Sequence, residues 1–240
     1  MTIYDTTLTS KHDAAEGTTA FYFSRPEGFV FKPGQAIDLI LPDAKNPDSE
    51  GERHAFSIVS APFQDELCVT TRMRDSAYKH QLDSLASGSA VKIDGPFGSL
   101  TMHNRTARAG VFIAGGIGIT PFMSMLRNEA HEAWPHQLLL LYSNRRPEDA
   151  AFLKELQDLE RQNSRFLMLA TMTQMSKSSQ PWTGETAFID ENMLKRVITR
   201  LPDPVFYVVG PPAMVEGLKA VLGRAGVDED DIRTEEFYGY

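Results

Sequence analysis

Val111-Phe-Ile-Ala-Gly-Gly-Ile-Gly-Ile-Thr-Pro-Phe-Met-Ser-Met-Leu126 decides the fold. The apolar run Val111 to Ala114 reads as a buried strand. Gly115, Gly116 and Gly118 make a turn in which the backbone takes unusual dihedrals and a ligand can come close. Thr120 suits an N-cap and Pro121 the first helical position, so a helix is expected to begin there. Strand, glycine turn and helix start present backbone N–H groups and a positive helix end, the arrangement that holds a phosphate. The common dinucleotide fingerprint needs a glycine where Pro121 stands, and the next strand, Gln137 to Leu141, leads into Tyr142-Ser-Asn-Arg-Arg146 rather than an acidic ribose partner. A dinucleotide site of another design is implied.

Working outward, strands alternate with helices after about Arg105. Val111–Ala114 precedes a helix at Pro121–Glu132, Gln137–Tyr142 one at Glu148–Arg161, Phe166–Thr171 one at Glu191–Arg200, and Val205–Val209 one at Pro212–Ala225. Such alternation predicts a doubly wound parallel sheet with helices on both faces. Ligands of these sheets lie at the carboxyl ends of the strands. Here those ends are Gly115–Thr120, Ser143–Arg146, Met172–Gln174 and Gly210–Pro212, which places Gly210 and Pro211 among the candidate ligand residues. Met172 to Gly184 reads as one loose, mobile loop.

The first hundred residues are β-rich. Thr18–Phe23, Ala36–Leu41, Ala55–Val59, Leu67–Met73 and Ala90–Ile93 are separated by turn chemistry at Arg25-Pro-Glu-Gly28, Lys32-Pro-Gly34, Asn46-Pro47, Ser87-Gly88 and Gly95-Pro96. This spacing predicts a small antiparallel barrel, interrupted by a helix over Tyr78–Leu85. The polar stretch His103 to Arg108 marks the boundary between a first domain, 1–105, and a second, 106–240.

The chain has 240 residues, enough for two domains, and a net charge of −8, which argues against nucleic-acid or anionic-membrane binding. No window reaches membrane-spanning apolar length, and the N-terminus lacks signal-peptide character, so a cytoplasmic location without membrane insertion is expected. The single cysteine, Cys68, reads as a buried thiol and excludes an all-cysteine iron–sulfur cluster. The six histidines have no close metal-ligand spacing, so no metal is expected.

Barrel first and dinucleotide sheet second, with these motifs in this order, resembles the ferredoxin–NADP reductase superfamily, in particular the reductase components of bacterial oxygenases without their iron–sulfur domain. The resemblance covers nearly the whole chain. It implies a flavin-binding β-barrel and an NAD(P)-binding α/β domain. The family's flavin signature, Arg-x-Tyr-Ser with a Ser or Thr three residues on, corresponds to His54-Ala-Phe-Ser57 with Ser60. Phe56 then lies on the flavin ring and Ser57 reaches its N5. His54 fills the slot of the phosphate-holding arginine with Arg53 one place early, which leaves open which of the two makes that contact. Arg72 or Arg74 and the backbone of Ser76, Ala77 and Tyr78 are implied at the pyrophosphate, with Arg72, Arg74 and Lys79 a local basic patch for an acidic partner. The resemblance assigns Gly115 to Pro121 to the coenzyme, with Thr120 near the nicotinamide. Val209-Gly-Pro-Pro-Ala-Met214 matches Cys-Gly-Pro-x-x-Met, with valine for cysteine. Glu235 and Phe237 fit the pattern of an acidic residue at the nicotinamide and an aromatic over the second flavin face, although a frayed tail is the alternative reading.

The implied activity is a flavin-dependent NAD(P)H oxidoreductase, with Ser57, Thr120 and Glu235 at the reacting groups and a separate acceptor: a ferredoxin, an oxygenase, a haem protein or a small molecule. FAD is the expected flavin, with FMN the alternative. NADH is preferred because Thr171–Gln174 carries no arginine, while Ser143, Arg145 and Arg146 keep NADPH open. The rivals are a flavin-holding electron-transfer subunit of a larger dehydrogenase and a non-enzymatic flavin-binding regulator.

Overall fold

The computed structural model describes residues 2–42 and 53–238. The Asn46-Pro47 turn falls outside them. The chain divides into two compact units, Met1–Thr101 with Thr120–Asn128, and Met102–Ile119 with Glu129–Tyr240. Among the described residues no helix is long and apolar enough to cross a membrane.

The first unit contains β1 (Thr2–Ala15), β2 (Thr18–Ser24), β3 (Ala36–Ile40), β4 (Arg53–Ser57), β5 (Glu66–Arg72), α1 (Ala77–Ser84) and β6 (Ala90–Phe97). The strands form one antiparallel sheet in the order β4-β3-β6-β1-β2-β5. Just past β4, the Val59 N–H donates to the Cys68 carbonyl of β5 at 2.8 Å, so the two edges meet and the sheet closes into a barrel. Phe21, Phe23, Ile37, Leu39, Phe56, Val69 and Ile93 fill it, and α1 adds Tyr78 and Leu82, one turn apart on its inner face. The 14-residue β1 was not expected from the sequence. It pairs with β6 through Thr2–Thr7 and with β2 through Leu8–Ala15, and few of its side chains are buried, so it carries no sustained apolar alternation.

Residues Thr120–Asn128 group with the barrel through specific bonds. The Ser124 hydroxyl donates to the Ser60 carbonyl at 2.7 Å, and the Arg127 guanidinium donates to the Val59 carbonyl at 3.1 Å.

The second unit contains β7 (Gly110–Gly115), β8 (Leu138–Asn144), α3 (Leu153–Gln162), β9 (Phe166–Met172), α4 (Glu191–Ile198), β10 (Val205–Gly210), α5 (Pro212–Arg224) and β11 (Ile232–Glu236); α2 (Thr120–His131) lies between β7 and β8 in the chain. Its sheet is wholly parallel, in the order β11-β10-β7-β8-β9. The strand order reverses between β7 and β10, which defines the switch point. Leu194 of α4 and Val215, Leu218 and Leu222 of α5 pack on Val111, Ile113, Leu141, Phe206 and Val208. The C-terminal stretch is not frayed: β11 adds a fifth strand beside β10.

Three local expectations are corrected. Helical winding starts before Thr120, because a 3₁₀ turn over Gly116–Ile119 runs straight into α2, making Thr120 its first residue rather than a separate cap. The helix expected from Glu148 is broken: a 3₁₀ turn covers Pro147–Asp149, and Phe152 takes a left-handed conformation before α3 begins. The 172–184 loop is tied down. Met172 N–H and the Trp182 indole N–H both donate to the Glu185 carbonyl, and Glu148 accepts bonds from Ser178 and Ser179. Partial burial pushes the Glu148 carboxyl up, but these donors outweigh it and hold it at about 2.

At the amino end of β7 lies a buried polar chain. His103 accepts from the Tyr207 hydroxyl at Nδ1, 2.9 Å away, and donates from Nε2 to the Arg108 carbonyl at 3.3 Å. Its ring packs edge-on against His136, which is bonded to Glu129 at 2.8 Å. Burial, then the neighbouring His136, Arg233 and Arg108, lowers the His103 pKa despite the carbonyl bond. The folded protein thus binds fewer protons here than the unfolded chain. Stability is present above the unfolded imidazole value and is lost as pH falls through the lower folded value. The urea midpoint should drop between pH 7.5 and 5.5, and His103→Gln should reduce that drop; an unchanged drop would remove His103 as its source.

Glycine packing gives a second test. A Cβ on Gly118 would lie 2.4 Å from the Val209 carbonyl oxygen, whereas one on Gly217 of α5 meets nothing within 4 Å. Gly118→Ala should destabilise by about 1–3 kcal/mol, and Gly217→Ala should stabilise by about 0.5–1 kcal/mol, both read from urea unfolding.

Candidate functional site

In the first unit the pleat of β4 separates its candidate residues. His54 and Phe56 share one face, Arg53 and Ser57 the other. Arg53 is committed: its guanidinium is 2.6 Å from Asp38 and is also bonded to Asp94. Asp38 of β3 and Asp94 of β6 are direct cross-strand partners, so two carboxylates face each other and Arg53 offsets both. The bonds to Asp38 and then Asp94 raise its pKa. Of the two residues left open for a phosphate, Arg53 therefore has a structural occupation and His54 does not share it.

His54 lies 4.1 Å from the ring of Tyr78, and Tyr78 stacks on Phe56 at 6.2 Å. The Tyr78 hydroxyl donates to the Leu39 carbonyl at 2.8 Å, and burial raises its pKa. The Ser57 hydroxyl is buried with no hydrogen-bond partner among the described residues. Ser60 is differently placed: its hydroxyl accepts the Cys68 N–H at 3.0 Å and so helps to close the barrel. Ser76 caps α1 by accepting the Lys79 N–H at 3.3 Å, and Ser76 and Ala77 are exposed at the helix start, with half-exposed Arg72 at the end of β5. Lys79 was read from sequence as part of a surface patch. Its ammonium instead lies 4.6 Å above the Phe56 ring and donates to the Thr71 hydroxyl. An aromatic ladder, an orphaned hydroxyl and an exposed helix start together suit a flat heteroaromatic ring with a phosphate tail.

In the second unit the candidate glycines converge at the switch point. A Cβ on Gly115 would meet the Met214 sulfur at 2.4 Å, and one on Gly210 would meet the Gly115 Cα at 3.3 Å. With Gly118 against Val209, the glycines first serve the packing of the protein's own backbone. Gly116 differs: it has φ +54°, and an added Cβ would meet nothing within 4 Å, so it is the open point of the turn. Pro211 precedes α5 and accepts the Met214 N–H at 2.9 Å. Glu235 of β11 is the register partner of Val209, half-buried and without a partner among the described residues, and burial raises its pKa. The Phe237 N–H donates to the Gly210 carbonyl at 3.0 Å, which fixes the tail at the end of β10. Thr120 and Pro121 open α2 and are both buried.

Ser143 lies beside Gly115 in register. Arg146 forms a two-bond pair with Asp149, at 3.0 and 2.8 Å, whereas Arg145 is exposed with no partner among the described residues. Asn144, not singled out from sequence, is buried with both amide atoms unpartnered. Nothing in its sequence context distinguishes it from its neighbours, and Lys79 was equally hidden because only folding carries its amine back over Phe56.

Residues 112–220 match the family described as the oxidoreductase NAD-binding domain. The chain is 29% identical over 218 residues to the reductase component of propane 2-monooxygenase from Rhodococcus jostii, covering 88% of this chain and 57% of that protein. It is 29% identical over 226 residues to ferredoxin–NADP reductase B from Sorangium cellulosum, covering 90% and 89%. The chain is similar to members of the ferredoxin–NADP reductase superfamily. A crystal structure of a superfamily member, the ferredoxin NADP⁺ reductase of Neisseria gonorrhoeae with bound FAD and NADP, has the same fold: TM-score 0.81, 22% identity, and 98% of both chains covered. This chain therefore spans under three fifths of the Rhodococcus oxygenase reductase and most of the Sorangium superfamily member.

Removing Arg53 tests its structural occupation. Arg53→Met should destabilise by about 1–3 kcal/mol, the buried-pair value discounted for its part-exposed guanidinium. Asp94→Asn in the same chain should recover part of the loss by removing one facing charge; no recovery would show that the two carboxylates are not the cause.

Proposed function

We propose that this protein is a flavin-dependent NAD(P)H oxidoreductase, with flavin held by the first unit and the nicotinamide coenzyme by the second. The reading is carried by Ser57, a buried hydroxyl with no partner among the described residues, on the strand whose other face presents Phe56 to the His54–Tyr78–Phe56 ladder. An unmet donor of this kind calls for a ligand acceptor. Bound flavin would supply the redox chemistry, taking a hydride from reduced nicotinamide and releasing electrons to a separate acceptor.

The chain's own residues bind and orient. Phe56 offers its ring and Ser57 its hydroxyl to the flavin, and His54 faces its phosphate portion. The start of α1 at Ser76, Ala77 and Tyr78 offers backbone N–H groups, with Arg72 as neutralising charge. Gly116, Gly210 and Pro211 shape a crevice for the coenzyme, with Gly115, Gly118 and Met214 holding its floor. Thr120 and Glu235 position the nicotinamide. Glu235, with its raised pKa, is suited to hold a proton and donate a hydrogen bond. Hydride transfer needs no ionisable group in the position of Val209.

FAD is the proposed flavin, as in the Neisseria structure, and the acceptor is proposed to be a redox protein, as for the reductase components of oxygenases. A cytoplasmic location belongs to the same proposal, because reduced nicotinamide coenzyme is the electron source. NADH is favoured over NADPH. Thr171–Gln174 has no arginine and Arg146 is held by Asp149, which leaves Arg145, of the two adjacent arginines, to meet a 2′-phosphate.

The test is one sample carried through two steps. Flavin released by denaturation should chromatograph as FAD, and stopped-flow reduction of the loaded protein should be faster with NADH than with NADPH. Folded protein that takes up neither FAD nor FMN refutes the reading. Loaded protein that neither coenzyme bleaches is a flavin-binding regulator. A tenfold preference for NADPH, about 1.4 kcal/mol, overturns the coenzyme assignment and points to Arg145.

A further inference from the structure

Among the described residues, Lys79 has no acidic partner for its positive charge. It stands in the first turn of α1, and its amine reaches back to the Thr71 hydroxyl of β5 and over the Phe56 ring of β4. It thereby touches all three barrel elements assigned to the flavin. Asp38 pairs instead with Arg53 at 2.6 Å, and Asp83, one turn on in α1, with Lys11 at 3.6 Å. Among the described residues Lys79 forms no ion pair, and the Thr71 hydroxyl is the one hydrogen-bond acceptor of its ammonium.

A half-buried ammonium without a counter-charge is costly. Burial alone lowers the Lys79 pKa to about 8, with no acidic neighbour drawing it back up. The cation–π contact with Phe56 offsets part of this cost without neutralising the charge.

We propose that Lys79 is a flavin-contacting cation that offsets the negative charge a flavin ring gains on reduction. The role rests on the flavin reading above. A hydride brings two electrons and one proton to a neutral ring, so the ring ends with one negative charge and no further proton is needed for balance. Lys79 is placed for that charge because its ammonium lies against Phe56, the side chain assigned to the ring. The exposed start of α1 and Arg72 are assigned instead to the phosphates.

The experiment compares wild type with Lys79→Met and Lys79→Arg. Dissociation constants for oxidised riboflavin, FMN and FAD are measured on the apoprotein, and the midpoint potential on the FAD-loaded protein. Lys79→Met should bind reduced flavin about tenfold more weakly relative to oxidised flavin, read as a midpoint about 30 mV lower for the two-electron couple. Lys79→Arg should restore most of it. Should Lys79→Met fail to fold, Lys79→Gln takes its place with the same expected sign. An unchanged midpoint in a variant that still binds FAD overturns the proposal. So does a loss confined to FMN and FAD with riboflavin unaffected, which would assign Lys79 to phosphate. Failure of wild type to bind any flavin sinks the flavin reading itself, a result distinct from either.

Discussion

Backbone packs directly on backbone where β7 and β10 end, and the second unit is organised around that contact. The turn after β7 can lie against Val209 only because Gly118 has no side chain, and Gly210 can approach Gly115 for the same reason. The reversal of strand order brings these two ends together. With no side chains between them, the peptide groups of the two strand ends lie directly against each other. The following strand, β11, completes the arrangement by setting Glu235 beside Val209 and bonding Phe237 to Gly210.

The barrel solves a different problem, that of charge. Closing a small sheet brings Asp38 opposite Asp94, and Arg53 on the neighbouring strand answers both. The pleat then puts His54 and Phe56 on the other face, free of that pair. One strand therefore holds the barrel together with its odd-numbered Arg53 and presents aromatic rings with its even-numbered residues.

Much of the architecture was legible in the sequence. The parallel strands are continuous apolar runs, as burial on both faces demands, and glycine and proline mark their ends. The two terminal strands were not legible. β1 is rich in threonine with few buried side chains, and β11 reads Ile-Arg-Thr-Glu-Glu; both are held by ladder hydrogen bonds more than by apolar burial. Within the candidate sites, the motif residues could be named, but their duties could not. Arg53 or His54, and Arg145 or Arg146, are adjacent in sequence and differ only in which carboxylate folding brings to them. Lys79 and Asn144 required coordinates, because what distinguishes them among the described residues is a missing counter-charge in the one and an unpartnered side-chain amide in the other.

Met214 has a mechanical consequence. Its sulfur fills the space that a side chain on Gly115 would take and also lies 3.3 Å from where a Cβ on Gly210 would be. The spacer between two stiff strand ends is thus an unbranched thioether with three rotatable bonds, the softest apolar filler available. The hydrogen-bonded walls resist deformation while the floor yields by rotation of one side chain. Compliance at this point is local, because rotation of one side chain leaves the register of the sheet unchanged.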